Sequence, residues 1–214
     1  MKFCVIGLGR FGYQVATGLA EHGIEVLAID SQENLVASIK DHVTHAICMR
    51  VTDEASLRSV GIDEMDTVIV ATGENFAESV LITALLKKRL KMPKVIARAI
   101  NDIHQDILKL VGADEIVLPE REIGNRLADK LSSPFIDTIH LAENFSVSQL
   151  RAPKKFVGKK LSELDIYKNY HVHCIGIKHD ANTVVSIDPE DIIGEQDLLM
   201  FSGNDENLEK MAKL

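Results

Sequence analysis

Lys2-Phe3-Cys4-Val5-Ile6-Gly7-Leu8-Gly9-Arg10-Phe11-Gly12 reads as a short apolar strand that breaks on a G-x-G-x-x-G turn. Position makes the pattern specific. Phe11, Val15, Ala16, Leu19 and Ala20 follow at helical spacing, so the glycines lie where a first strand passes into a first helix. Gly7 suits a tight turn, Gly9 lets a phosphate approach the main chain without a Cβ in the way, and Gly12 lets the helix pack close to the sheet. A phosphate over this turn would meet unpaired N–H groups at the positive end of the helix. Arg10 adds a guanidinium beside that cradle, which favours concentrated terminal phosphate charge; the alternative is a solvated side chain in the first helical turn.

Outward from this turn, apolar runs alternate with helical patterns as far as residue 118. The runs are Val26–Ile29, Ala46–Met49, Thr67–Ala71, Val95–Ala97 and Glu115–Leu118, several of them nearly continuous in apolar residues, as strands covered on both faces require. With Phe3–Ile6 they predict an α/β fold, a Rossmann-like doubly wound parallel sheet. Residues 119–133 read as one more helix, stopped at Ser132-Ser133-Pro134. Phe135, Ile136, Ile139 and Leu141 then form an apolar connector. Beyond it, Val147–Leu150, Val172–Ile177, Val184–Ile187 and Leu198–Phe201 predict the strands of a small α+β domain, with a helix over Leu161–Ile166 and a short terminal helix. The expected domains are 1–133, with the connector running on to 141, and 142–214.

In an open parallel sheet the ligand lies beyond the carboxyl ends of the strands. Asp30 ends the second run, eighteen residues past Gly12, where an acid accepts hydrogen bonds from both ribose hydroxyls and repels a 2′-phosphate. ATP, ADP, AMP and NAD are thereby favoured over NADP. Asp30-Ser31 reads equally as a cap for the next helix. Thr52 and Asp53 follow the third run, Thr72, Gly73 and Asn75 the fourth, Arg98 the fifth and Glu120 the sixth. Thr72-Gly73 is placed to hold the adenosine side. Asn75 either joins it or caps a helix, and Arg98 either balances phosphate charge or pairs with Asp102.

Composition narrows the function classes. The formal net charge of −8 argues against a nucleic-acid partner and gives no support for an anionic membrane surface, because the basic clusters Lys87-Lys88-Arg89 and Lys154-Lys155 are short. Cys4, Cys48 and Cys174 have no C-x-x-C spacing, so neither a zinc site nor a disulfide framework is expected, and a reducing compartment follows. The first residues run straight into the glycine turn without the apolar stretch of a signal peptide, and no segment is long enough to span a bilayer. A cytoplasmic protein is expected. Phe76–Leu86 carries apolar residues on more than one helical face, which means either a helix squeezed between neighbours or a subunit interface.

Several segments together resemble a known family, the regulators of potassium conductance of the cytoplasmic KtrA/TrkA type. They are Cys4 to Gly12, Val26 to Asp30, Val68 to Asn75, Val111-Gly112-Ala113-Asp114, Leu118-Pro119-Glu120-Arg121, Gly158 to Leu161 and Pro189 to Ile193, in order along essentially the whole chain. The resemblance implies a nucleotide-binding N-terminal domain, a small ligand-sensing C-terminal domain, and homodimers assembled into an octameric ring beneath an integral-membrane potassium-translocating subunit of KtrB/TrkH type. It implies ATP or ADP, or NAD or NADH in some members, at the loop matching Gly7 to Gly12 and the acid matching Asp30. Arg10 matches an arginine that reaches phosphate, sometimes across the dimer. Glu120 matches an acid that helps to bind a divalent cation, Mg or Ca, near the phosphates; a favourable charge at a helix N-terminus is the alternative. Some relatives bind cyclic di-AMP through a basic residue whose position here is Tyr167. That departure weighs against cyclic di-AMP, although a tyrosine ring can stack on a base.

The expected function is therefore a nucleotide-sensing regulatory subunit that gates a potassium transporter and is not an enzyme, held at the inner face of the membrane by its partner. The rival is a small NAD-dependent oxidoreductase, which would need a proton-transfer residue facing the nicotinamide. His104 follows the fifth run but has no orienting partner in the sequence.

Overall fold

In the computed structural model, which describes residues 1–73, 75–132, 135–179, 184–185 and 187–214, six short strands of the N-terminal part lie side by side, all parallel. They are β1 (Lys2–Ile6), β2 (Glu25–Asp30), β3 (His45–Cys48), β4 (Thr67–Val70), β5 (Lys94–Arg98) and β6 (Glu115–Val117), in the order β3-β2-β1-β4-β5-β6. The connecting helices are α1 (Arg10–Glu21), α2 (Glu33–Ile39), α3 (Glu54–Ser59), α4 (Phe76–Ala84) and α5 (Asp102–Val111), with α6 (Pro119–Ser132) after the last strand. Apolar side chains on one face of the sheet, among them Ile6, Ile29 and Val70, pack with Leu57, Ile82 and Leu108 from α3, α4 and α5. Those on the other face, Val5, Ala28 and Ile69, pack with Ala16 of α1 and Ile39 of α2. Burial on both faces is why these runs lack polar alternation. Cys4 belongs to this core, and burial pushes its thiol pKa up, so it behaves as a small apolar residue.

The over-apolar stretch at Phe76–Leu86 does not stay a single α-helix. The α-helix ends at Ala84, and Leu85–Arg89 is a wider π-turn in which the Leu90 N–H reaches the Leu85 carbonyl at 3.0 Å. Lys87 holds that turn, with Nζ donating to Met92 O at 3.0 Å and to Asp114 Oδ2 at 2.9 Å. Ser79, Ile82, Thr83 and Leu86 face inward and are buried, whereas Ala77 and Leu81 remain exposed.

The chain divides into two compact units, Met1–Glu122 and Ile123–Leu214. The second holds β7 (Asp137–Ala142), β8 (Phe145–Arg151), α7 (Ile166–Tyr170), β9 (Val172–Lys178), β10 (Val184–Val185), β11 (Leu198–Asn204) and α8 (Asp205–Ala212), with an antiparallel sheet in the order β10-β9-β11-β8-β7. Its core gathers Phe156, Ile177, Leu199, Phe201 and Met211. Two expectations change here. The segment expected as a connector forms β7, an edge strand made by its pairing with β8. The helix expected over Leu161–Ile166 is a 3₁₀ turn, Leu161–Leu164, closed by Asp165 at φ +41° before α7 starts. Ser133 and Pro134, expected to stop α6, lie outside the described residues, as do Glu74 and Ser186.

Candidate nucleotide site

Strand order reverses between β1 and β4, and the glycine turn leaves β1 at that switch point. Gly7 takes φ +96°, and a Cβ there would stand 2.8 Å from the Thr72 nitrogen. A Cβ at Gly12 would overlap the Gly7 carbonyl oxygen. These two glycines let the turn fold against the β4 loop and α1 fold against the turn. Gly9 differs: a Cβ there would meet nothing within 4 Å, and Gly9 is the N-cap of α1 with no side chain closing the first turn. The main-chain N–H groups of that turn are therefore approachable from outside.

Asp30, at the end of β2, ties this turn in place. Its Oδ2 accepts the Leu8 N–H at 2.6 Å and its Oδ1 accepts the Gln32 N–H at 2.8 Å. The N-cap of α2 is Gln32, so neither Asp30 nor exposed Ser31 caps that helix. A carboxylate has about four acceptor positions, which leaves capacity for ribose hydroxyls beyond the two main-chain bonds. The Leu8 and Gln32 contacts escape sequence reading because main-chain donors carry no residue signature.

Arg98, at the end of β5, leans across the β4 loop. Its guanidinium lies 5.9 Å from the Phe11 ring centroid, and a Cβ at Gly73 would overlap its Nη1. Its partner is Glu120 in the first turn of α6, at 2.5 Å, and not Asp102, which pairs with Arg121 instead. The Glu120 pKa is held below its ordinary value, first by its own N–H, with burial opposing, and then by the Arg98 guanidinium. Arg98 Nε and Thr72 Oγ1 are buried without a hydrogen-bond partner among the described residues. Arg10 is exposed and has no ion-pair partner among them.

Gly7, Gly12, Thr72, Gly73, Phe11, Arg98 and Glu120 thus lie together around the turn, and Asp30 is tied to the same turn through the Leu8 N–H. Three rim residues are engaged elsewhere. Asp53 caps α3, accepting the Ser56 N–H at 2.8 Å, and that bond lowers its pKa; Thr52 donates to Asp53 at 3.3 Å. Asn75 caps α4 by accepting the Glu78 N–H at 3.2 Å. Among the described residues no three His, Cys, Asp or Glu side chains converge as a metal site, so a cation at Glu120 would need further ligands from phosphate or from another subunit. His104 is wholly buried against the Phe76 ring, with centroids 4.5 Å apart, and its Nδ1 accepts the Ile100 N–H. Burial lowers its pKa. It presents no accessible nitrogen to a ligand.

A sheet in this order, with a glycine turn at its switch point and an acid ending β2, defines the class of nucleotide-binding proteins with a doubly wound fold, here followed by a small antiparallel domain. Residues 3–119 match the TrkA-N domain and residues 148–214 the TrkA-C domain, and the chain belongs to that family. Ktr system potassium uptake protein A of Bacillus subtilis (strain 168) is 37% identical over 210 residues, which are 98% of this chain and 94% of that protein. Among solved structures, the GsuK channel bound to NAD is similar at 25% identity and a TM-score of 0.54, over 99% of this chain and 38% of that one. GsuK bound to ADP is similar at 28% identity and the same TM-score of 0.54, over 61% of this chain and 33% of that one. The resemblance to KtrA/TrkA-type subunits holds over both domains.

Proposed function

We propose that this chain is a nucleotide-sensing regulatory subunit of a potassium uptake system, holding an adenosine phosphate over residues 7–12 and passing the identity of that ligand to a membrane partner. One observation carries the reading: Gly9 stands open at the N-terminus of α1 between two glycines packed too tightly for any Cβ, beside an acid tied to the same turn. Exposed and without an ion-pair partner among the described residues, Arg10 favours ATP or ADP over NAD, NADH or AMP as the working ligand. Glu120 helps to hold a divalent cation only when phosphate oxygens complete the shell. The ligand regulates because it fits one arrangement of subunits better than another; equal affinity for both would shift nothing.

Self-assembly has its own support. Ile123, Leu127 and Leu131 are spaced by four on α6 and are 63%, 54% and 77% exposed. A helical stripe this apolar is rarely left to water. Leu81 on α4 and Ile103 and Leu110 on α5 are exposed as well. We assign these faces to a dimer and to its assembly into a ring. No helix among the described residues is long and apolar enough to cross a membrane, and the proposal places the translocating pore on a separate subunit, with this chain at the inner face. The role is non-enzymatic. Cyclic di-AMP is left out of it, because Tyr167, stacked on His173 with centroids 4.5 Å apart, brings no positive charge to that position.

Calorimetric titration with ATP, ADP, NAD and NADH, run beside light scattering, tests the reading. Tight binding with a change of assembled mass or shape, and no turnover, is the expected result. Failure to bind all four ligands, or steady substrate-dependent formation of NADH, overturns it.

A further inference from the structure

In a parallel sheet each connecting helix ends where the next strand begins. The carboxyl ends of α4 and α5 therefore lie at the amino ends of β5 and β6, opposite the edge that carries the glycine turn. That far end is cationic on a chain whose net charge is −8. Along the sequence Lys87-Lys88-Arg89 is a short cluster, and the fold enlarges it. The π-turn Leu85–Arg89 and Lys91, at φ +53°, run between two buried anchors, Leu86 and Met92, and the Met92 N–H donates to the Leu86 carbonyl at 3.0 Å. Lys88, Arg89 and Lys91 are exposed on the bulge so pinned. Lys88 reaches the end of α5, where a Cβ on Gly112 would stand 3.2 Å from its Nζ, beside the last turn that carries exposed Lys109.

The acids that begin β6 are already taken, Asp114 by Lys87 at 2.9 Å and Glu115 by Lys94 at 3.1 Å. Lys88, Arg89, Lys91 and Lys109 have no ion-pair partner among the described residues. Even with Asp106, one turn back along α5, the face keeps an excess of positive charge. Attraction to the carboxyl end of α5 accounts for Lys88 and Lys109. Arg89 and Lys91 have no such use.

We infer that this face rests on anionic phospholipid headgroups, giving the chain a membrane contact of its own beside the one through a pore subunit. The inference rests on the placement of the chain at the inner face proposed above. Cytoplasmic loops of membrane proteins carry an excess of Lys and Arg, so they suit the acidic remainder of this chain and repel this face. The inner leaflet supplies the opposite sign. Its field fades within a Debye length of about 8 Å at physiological salt, so the cations at the contact are felt while acids elsewhere on the chain are screened. Headgroups here would not compete with a nucleotide, since the two lie at opposite ends of the same sheet.

Co-sedimentation of the intact protein with vesicles of phosphatidylcholine, with and without phosphatidylglycerol, tests this. The wild type is expected to sediment only with the anionic vesicles and to be released by raised salt. Lys88→Glu/Arg89→Glu/Lys91→Glu should weaken that binding by about tenfold or more. Lys154→Glu/Lys159→Glu/Lys213→Glu makes the same change in net charge at exposed residues outside the face, and should leave binding near the wild-type level. Lys109→Glu, on a different element, should act in the same direction by a smaller factor, and it carries the test if the triple variant of the bulge does not fold. Equal sedimentation with both vesicle types, undiminished binding by the bulge variant, or an equal loss in the control variant overturns the inference. So does a preference for a poly-glutamate peptide over anionic vesicles, which would make the face a site for acidic polypeptide. None of these results touches the nucleotide-site reading, which stands or falls by the calorimetric titration.

Discussion

Gly12 lies so close to Gly7 that a methyl group on the one would occupy the carbonyl oxygen of the other. Main chain cannot swing aside as a long side chain can, so the contact fixes how near α1 comes to the end of β1. The same closeness sets where the first-turn N–H groups point.

Gly12→Ala is accordingly expected to destabilise the N-terminal unit by about 1–3 kcal/mol, the usual cost of overpacking. It should also abolish measurable ADP binding. Thermal melts with and without ADP check both. A variant that melts like the wild type and is still stabilised by ADP would show that the turn has room the contact denies.

Asp30→Ala removes the acceptor of the part-buried Leu8 N–H. Leaving that donor unpaired costs about 1–3 kcal/mol, and loss of the charged acceptor for ribose should weaken ADP binding by about tenfold or more. Urea unfolding and calorimetry measure the two effects separately. An undiminished affinity would remove Asp30 from the site while keeping its structural bond to Leu8.

Asp114 receives Lys87 Nζ at 2.9 Å and the Val95 N–H at 2.6 Å. Burial alone would raise its pKa, but the Lys87 and Val95 bonds outweigh burial, and the pKa is lowered. A carboxyl with a depressed folded-state pKa contributes stability above its unfolded pKa of about 4 and loses that contribution as pH falls through the folded value. The stability gap between wild type and Asp114→Asn should be present at neutral pH and shrink below about pH 4. Urea midpoints across that range read it out; a gap that widens in acid contradicts the sign.

Leu127 stands at the middle of the exposed α6 stripe. If that stripe joins subunits, Leu127→Glu should weaken self-association by about tenfold or more, with an unchanged circular dichroism spectrum. Light scattering over a dilution series gives the answer, and an unaltered mass at every concentration would move the interface elsewhere.

The parallel sheet was legible because strands buried on both faces leave continuous apolar runs, and the glycine turn because three glycines at fixed spacing follow the first of them. The edge strand β7 was not legible as one. Its apolar residues Ile139 and Leu141 face outward, and only the return of the chain through β8 supplies its hydrogen bonds. The π-turn after α4 was hidden for a similar reason, since Leu85–Arg89 has ordinary helical composition and is held open by Lys87 reaching Met92 and Asp114.

By itself the sequence determined the order of strands and helices in the N-terminal unit, the glycine turn after the first strand and the acid eighteen residues beyond it, because these depend on residue type at short separations along the chain. Only the tertiary structure decided the partners. Arg98 has Asp102 four residues away in the chain and Glu120 twenty-two away, and it takes the distant one. Asp53 and Asn75, which stand on the rim in sequence, turn to cap their own helices. Side chains choose among competing acceptors by distance and desolvation in three dimensions, and a linear pattern does not encode that choice.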